Sequence, residues 1–296
     1  MEIAENDLNV VYITADSGEG GLDLLFKRNF PDRSFEFGIS EQNAIGAAAG
    51  LALSGKRPFV YLPAPFALYR AYEFIRDDIC LQNLPVTIIG VGSGISVSKL
   101  GPTHHSTEDY SLLSTLPRMT CLVPATPKQA HEAILYAYKC NGPTYIRLEN
   151  EAKYEFVDDK YRFNGKVDIL QQGKNVCFVS AGTILSEVVE AAKLLNEAGE
   201  TSTIVNINML KPLDVEGIVD NCIGKDAICV VEEHNKHGGL GSLVKEALFD
   251  RGVLINLVHI CFNDDFCKGY GDINEVRKKN KIDSNAIVDA ILGLKN

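Results

Sequence analysis

The stretch TCLVPATPKQAHEAILYAYKCNGPTYIRL, Thr120 to Leu148, reads as one strand–helix–strand unit. Its outer runs, Thr120–Val123 and Thr144–Leu148, are short and rich in β-branched residues, and Pro127–Lys139 between them is helical. The runs are apolar almost throughout rather than alternating, as strands covered on both faces are. The same rhythm extends upstream through Val10–Thr14, Pro58–Leu62 and Val86–Val91. Downstream it continues in Val176–Ser180, Thr203–Asn206, Ala227–Glu232 and Leu254–His259. Helical stretches lie between, at Glu41–Leu53, Ala67–Gln82, Ile184–Ala198, Leu240–Phe249 and Ser284–Leu294. Strands alternating with helices predict an α/β fold of mainly parallel sheets flanked by helices.

At 296 residues the chain is long enough for about two domains. The composition shifts once, between Asn150 and Lys174, where it is polar and charged without helical period. This predicts a first domain over 1–150, a linker over 151–173 with room for one short strand, and a second domain over 174–296. A hydrophobic content of 46% excludes disorder, and a net charge of −10 argues against nucleic acid or an anionic membrane surface as partner. The first residues, MEIAENDL, carry no apolar run of the secretory kind. The longest apolar stretch, Ala44 to Leu53, is far short of the roughly 20 residues that span a bilayer. Eight cysteines include no C-x-x-C pair and mostly sit in apolar runs, so they read as buried free thiols of a reducing cytoplasm.

Glycine-rich loops are the first place to look for chemistry. GVGSG, Gly90 to Gly94, follows a strand, but ISVSKLGPTHH after it has no helical period, so a dinucleotide site is not expected. The loop reads instead as the wall of a crevice at the strand ends. HGGLGS, His237 to Ser242, opens a helix and reads as a tight turn rather than a phosphate site. GYGDIN, Gly269 to Asn274, leads into a lysine-rich segment, and no metal-diphosphate motif or metal-ligand spacing is present.

Three segments carry candidate functional residues. In FGISEQNAIGAAAGLAL, Phe37 to Leu53, Ser40 is placed to cap a helix of Ala and Gly, with Glu41 in its first turn. Gly46 and Gly50 allow close packing, that of a partner chain included. On spacing alone Glu41 complements the helix dipole. In SKLGPTHHSTEDYSLL, Ser98 to Leu113, His104 and His105 stand in a loop before a helix that Ser106 or Thr107 could cap. Histidine there can relay protons or bind hydroxyls, although two solvated loop histidines fit the pattern as well. In YLPAPFALYRAYEFIRDDI, Tyr61 to Ile79, the aromatics Phe66, Tyr69, Tyr72 and Phe74 surround Arg70. They could wall a flat heterocycle, but their near-helical spacing places most of them in the core.

Taken together, these segments resemble the transketolase family of thiamine-diphosphate enzymes. The matching pieces include FPDRSFEFGISEQNAIGAAAGLALSGKRPFV, YRAYEFIRDDICLQNLPVTIIG, GPTHHSTEDYSLL, GPTYIRLEN, AGTILSEVVEAAKLLNEAG and VVEEHNKHGGLGS, in the family's order. The resemblance covers the family's pyrimidine-binding and C-terminal domains, not its diphosphate-binding domain. It implies the smaller subunit of a split transketolase. An N-terminal partner subunit would carry the diphosphate and Mg²⁺, in an α₂β₂ assembly acting on small-molecule sugars. By resemblance Glu41 hydrogen-bonds N1′ of the aminopyrimidine, as a carboxyl held protonated by burial, and so promotes proton loss from the thiazolium carbon. Phe66 or Tyr69 would stack on the pyrimidine beside Arg70, His104 would face the substrate, and His105 stands where the family often has Gln.

The departures fall on substrate residues. The family's Asp before G-P-T-H is Leu100, a loop histidine aligns with Gly92, the phosphate-gripping Arg falls at Asn150, and a substrate serine falls near Gly20. Losing a bidentate Arg is a large change for phosphate recognition, so the resemblance implies ketol transfer with a non-standard substrate. The alternatives are the β chain of a 2-oxoacid dehydrogenase, a deoxyxylulose-phosphate-synthase-like protein and a non-catalytic partner. An intact GISEQN and GPTHH argue against the last.

Overall fold

The computed structural model describes residues 1–16, 22–150 and 154–295. In the first half the strands are β1 (Val10–Thr14), β2 (Ser34–Glu36), β3 (Arg57–Pro63), β4 (Thr87–Val91), β5 (Thr120–Leu122) and β6 (Thr144–Leu148). In the second they are β7 (Asp168–Gln171), β8 (Val176–Ser180), β9 (Ser202–Asn206), β10 (Met209–Lys211), β11 (Ala227–Asn235) and β12 (Leu257–Phe262). They form a seven-stranded sheet in the order β10-β5-β6-β4-β3-β1-β2 and a five-stranded sheet in the order β12-β11-β8-β9-β7. Pairing is parallel apart from β10 on β5 and β7 on β9. Two mainly parallel sheets flanked by helices are the α/β architecture that the alternation predicts.

One short strand, β10, ties the halves together. The 151–173 segment contributes β7, antiparallel to β9, and β10 crosses back to extend the first sheet. One apolar core spans both sheets, running from Ile13 and Val60 through Tyr110 and Leu113 to Val179 and Val205. Helix Asp109–Thr115 thus packs in the seam between the sheets. Every residue of β1, β8 and β9 is buried, which explains their unbroken apolar reading.

Helix Glu41–Leu53 forms as expected and buries Ala44, Ile45, Ala48, Ala49 and Ala52. Gly46 approaches the Phe74 ring, whereas Gly50 faces open space. The expected helix over Ala67–Gln82 is instead broken. It contains a π-helical turn at Phe66–Arg70, a short α-turn at Tyr72–Phe74 and a second π-turn at Ile75–Cys80. A π-turn rotates the face that follows it, and such turns concentrate at functional sites. Six cysteines are buried as free thiols, and Cys140 and Cys261 are partly buried. Among the described residues no helix is long and apolar enough to cross a membrane.

Candidate active site

The candidate residues gather where strands end. Glu41 follows β2, Phe66 follows β3, and GVGSG with the GPTHH loop follows β4, the central strand of the first sheet. Open α/β sheets bind ligands at this carboxyl edge, where successive loops splay apart.

Glu41 opens its helix and is only 3% exposed. Ser40 occupies the N-cap position, but its side chain makes no capping bond. Arg70 Nη1 donates to Glu41 Oε1 at 2.8 Å. The Arg70 guanidinium also lies over the Phe66 ring, its Cζ 4.0 Å from the centroid. On the other side, the His104 ring meets Phe66 edge-on at 5.2 Å between centroids. A continuous contact chain, Glu41–Arg70–Phe66–His104, is therefore assembled from three separate segments: a helix start, a π-turn and a loop.

Tyr69 does not join it. Its hydroxyl donates to Glu108 Oε2 at 2.6 Å. Phe66, not Tyr69, thus shares the Arg70 guanidinium with Glu41. The aromatics expected in the core are not there: Tyr69 and Phe74 are exposed, and Phe66 and Tyr72 are half-buried. The π-turn gives the core-facing positions to Ala67, Leu68 and Ala71 instead.

The two histidines separate. His104 is half-buried and its Nδ1 lies 3.0 Å from the Thr103 hydroxyl. His105 is buried, and neither ring nitrogen has a hydrogen-bond partner. Burial pushes its pKa down, outweighing the attraction of Glu233 and Glu108, so the ring is neutral at neutral pH. The solvated pair that the sequence allows is thus not what the chain builds. Nor does Ser106 or Thr107 cap the next helix. It starts at Asp109, with Glu108 at the N-cap, and Ser106 Oγ donates to Asp109 Oδ2 at 2.7 Å.

The second half holds this loop from behind. Asn235 N donates to the Thr107 carbonyl at 2.7 Å, and Ser98 Oγ donates to the Gly271 carbonyl at 2.7 Å. Gly101, at φ +72°, leaves room for no Cβ because the Tyr270 ring packs against it. The GYGDIN segment therefore serves as a support for the GPTHH loop.

Helix Leu240–Asp250 carries its own anion. Glu232 accepts from Leu240 N at 2.6 Å and Gly241 N at 2.9 Å, and pairs with His259 Nε2 at 2.6 Å. Burial opposes the Glu232 charge, but the His259 bond and the neighbouring histidines hold its pKa below the usual range. A carboxylate already fills the helix N-terminus, so HGGLGS is a turn, as expected, and not a phosphate cradle.

A buried ionic cluster was not read from the sequence. Arg147 Nε donates to Asp109 Oδ2 at 2.7 Å, Nη1 pairs with Glu149, and Nη2 donates to the Glu233 carbonyl at 3.3 Å. Arg277 Nε and Nη2 each reach Glu233 Oε1 at 2.7 Å. Burial works against the Arg147 charge, yet Asp109 foremost holds it protonated above its ordinary range. Glu149 is shifted the opposite way for a carboxylate, burial raising its pKa against the pull of Arg147. The available signal is an Arg inside the apolar run TYIRL and a Glu pair inside VVEEHN, since charges in buried strands need partners.

At the positions where the resemblance expects substrate charges, Leu100 is exposed and Gly92 sits at φ +69° with Val97 against it. Asn150 is exposed, and the position near Gly20 lies outside the described residues. Among the described residues no cluster of His, Cys, Asp or Glu could hold a metal ion.

Comparison with known proteins assigns the family. Residues 1–154 match the transketolase pyrimidine-binding domain, and residues 165–264 match the transketolase C-terminal domain. The chain belongs to the transketolase family and is a transferase-type component of it. Relatives include an apulose-4-phosphate transketolase subunit of Actinobacillus succinogenes, 36% identical over 99% of this chain and 95% of that one. The 1-deoxy-D-xylulose-5-phosphate synthase of Caldanaerobacter subterraneus is 33% identical over 98% of this chain but only 47% of its own length. Among solved structures, a split-gene transketolase described as an inactive β4 tetramer superposes with a TM-score of 0.86 at 33% identity, covering 99% of this chain and 93% of that one. Family membership implies dependence on thiamine diphosphate.

The residues fit that cofactor's pyrimidine. A planar, N–H-bearing group resting on Phe66 and bonded to Glu41 is what the site already accommodates, in the form of the Arg70 guanidinium.

Proposed function

We propose that this chain is the smaller subunit of a split, thiamine-diphosphate-dependent transketolase, moving a two-carbon ketol unit from a ketose to an aldehyde. The observation that carries the reading is the joined set Glu41–Arg70–Phe66–His104 at the carboxyl edge of a pyrimidine-binding domain. A partner subunit would supply the diphosphate and Mg²⁺ site, in an α₂β₂ assembly in the cytoplasm. This is in line with relatives of similar length whose names make them one subunit of an apulose-4-phosphate transketolase.

Bound thiamine diphosphate supplies the electron sink for breaking the ketose carbon–carbon bond. Glu41, shielded from water at the start of its helix, would hold the hydrogen bond to N1′ of the aminopyrimidine. Phe66 would provide the face on which the ring stacks. Arg70 makes the same two contacts in the chain itself, so a ring held by Glu41 and Phe66 would take its place there. His104, against the Phe66 edge, faces the substrate and can bond or relay protons at donor hydroxyls.

The uncharged residues Leu100, Gly92 and Asn150 support a donor or acceptor other than the ordinary sugar phosphate. With the partner added, ketol transfer from a modified or unphosphorylated ketose is expected to exceed that from xylulose 5-phosphate. A strong preference for xylulose 5-phosphate would refute the altered pocket. Decarboxylation of pyruvate without ketol transfer would instead favour the deoxyxylulose-phosphate-synthase reading, to which the 33% identity lends weight.

A further inference from the structure

A cavity of about 280 Å³ opens on the second half of the chain, between the loop after β12 and the end of helix Ile273–Lys279. Lys268, Lys279 and Lys281 line it, and among the described residues of its wall Asp265 is the one carboxylate. Asp265 pairs with Lys268 at 3.5 Å. Lys279 and Lys281 form no ion pair among the described residues. Three ammonium-bearing side chains thus surround one cavity in a chain whose net charge is −10. Two of them belong to the lysine-rich run that follows GYGDIN.

The helix dipole accounts for Lys279, which sits in the last turn. It does not account for Lys281. The helix ends in a Schellman motif with Asn280 as its C-cap: Lys281 N donates to the Lys278 carbonyl and Ile282 N to the Arg277 carbonyl, each at 3.1 Å. Lys281 therefore takes the left-handed position, at φ +57°, that glycine fills at least cost. A lysine there gives up local stability and sets a charge beside the cavity. Asn280 also fixes the third lysine. Its side chain accepts from Lys268 N at 2.9 Å and donates to the Lys268 carbonyl at 2.8 Å, which clamps the loop to the helix end. The Lys279 stem runs across Gly269, where a Cβ would crowd it. The two segments are held in place before any ligand arrives, so little backbone is left to order on binding.

Lysine meets an oxyanion as a point charge with three N–H donors. Three lysines suit the dianionic charge of phosphate better than the single charge of a carboxylate. We propose that this cavity is a binding site for a phosphate group, free or borne by a small metabolite, held by Lys268, Lys279 and Lys281. The proposal does not rest on the function proposed above.

The test is calorimetric titration of the full chain, at constant ionic strength, with inorganic phosphate and separately with glycerol 3-phosphate and glycerol. Phosphate is expected to bind saturably, and glycerol not to bind. Tighter binding of glycerol 3-phosphate than of phosphate identifies a phosphorylated metabolite as the ligand, and the reverse order identifies the free ion. Lys281→Gly is the deciding variant. Glycine relieves the left-handed residue, so Tm is expected to rise by about 2 °C. Phosphate binding is expected to weaken about 3- to 10-fold at the same time, and by a similar factor in Lys279→Ala. Lys160→Ala removes a positive charge outside the cavity wall and is expected to bind phosphate like the parent. A lysine placed at 281 for stability alone would give the opposite pair, a lower Tm with unchanged binding. The proposal is overturned by that pair, by the absence of saturable phosphate binding below about 10 mM, or by a loss of binding in Lys160→Ala equal to that in the cavity variants.

Discussion

Glu41→Gln is expected to fold, to assemble like the parent and to lose on the order of 10²-fold or more in the rate of ketol transfer. Gln has the shape of Glu, and its amide oxygen can still accept from Arg70, which now holds Oε1 at 2.8 Å. Arg70 is 42% exposed at its side chain, so losing the charge on its partner costs little stability. What Gln lacks is the acidic proton and the negative charge of a carboxyl. Those are the two features by which Glu41 would fix the hydrogen-bonding state of a pyrimidine nitrogen. Steady-state rates alongside thermal melts separate the two effects. Turnover at the parent level in a folded variant would remove Glu41 from the machinery.

Arg147→Ala is expected to cost about 3–5 kcal/mol of stability, the usual result of breaking a buried ion pair from one side. Asp109 and Glu149 would be left facing one another without the cation that both contact, in a region that is 0–2% exposed at the side chains. Arg147 also reaches the Glu233 carbonyl on β11 and lies 4.5 Å from the centroid of the Tyr110 ring, so its loss loosens the seam between the halves. Urea unfolding followed by fluorescence measures this. A variant that also carries Asp109→Leu and Glu149→Met should recover much of the loss, because it removes the stranded charges as well. A stability within about 0.5 kcal/mol of the parent for Arg147→Ala alone, the range of an ordinary surface change, would contradict the assignment.

The strands were legible because they are buried on both faces. Val10–Thr14, Thr144–Leu148 and Val176–Ser180 run as the apolar stretches predict. Helix Glu41–Leu53 was legible from its small-residue composition and its first-turn acid. Two of the short elements were not. β2 and β10 have three residues each and take their form from neighbouring strands rather than from their own composition. The π-turns escaped for a related reason. Phe66, Tyr69, Tyr72 and Phe74 mimic a helical stripe, and only the packing of Ala67, Leu68 and Ala71 beneath them reveals the shift in face.

In the site, Glu41, Phe66, Arg70 and His104 were each readable as candidates, but their contacts join segments that sequence spacing cannot bring together. His105 was named from its position beside His104, while its burial and its unpartnered nitrogens are products of the tertiary fold. The ionic seam was hidden because Arg147 and Glu233 are 86 residues apart in the chain.

On the proposed function, this chain shares its site with a second polypeptide that holds the diphosphate. Purifying the tagged chain from its own host and measuring native mass together with bound thiamine diphosphate tests this most directly. The expected result is a complex larger than this chain's own homo-oligomer, containing a second polypeptide and the cofactor. A species made of this chain alone, still free of thiamine diphosphate after mixing with the product of the neighbouring gene, would contradict it.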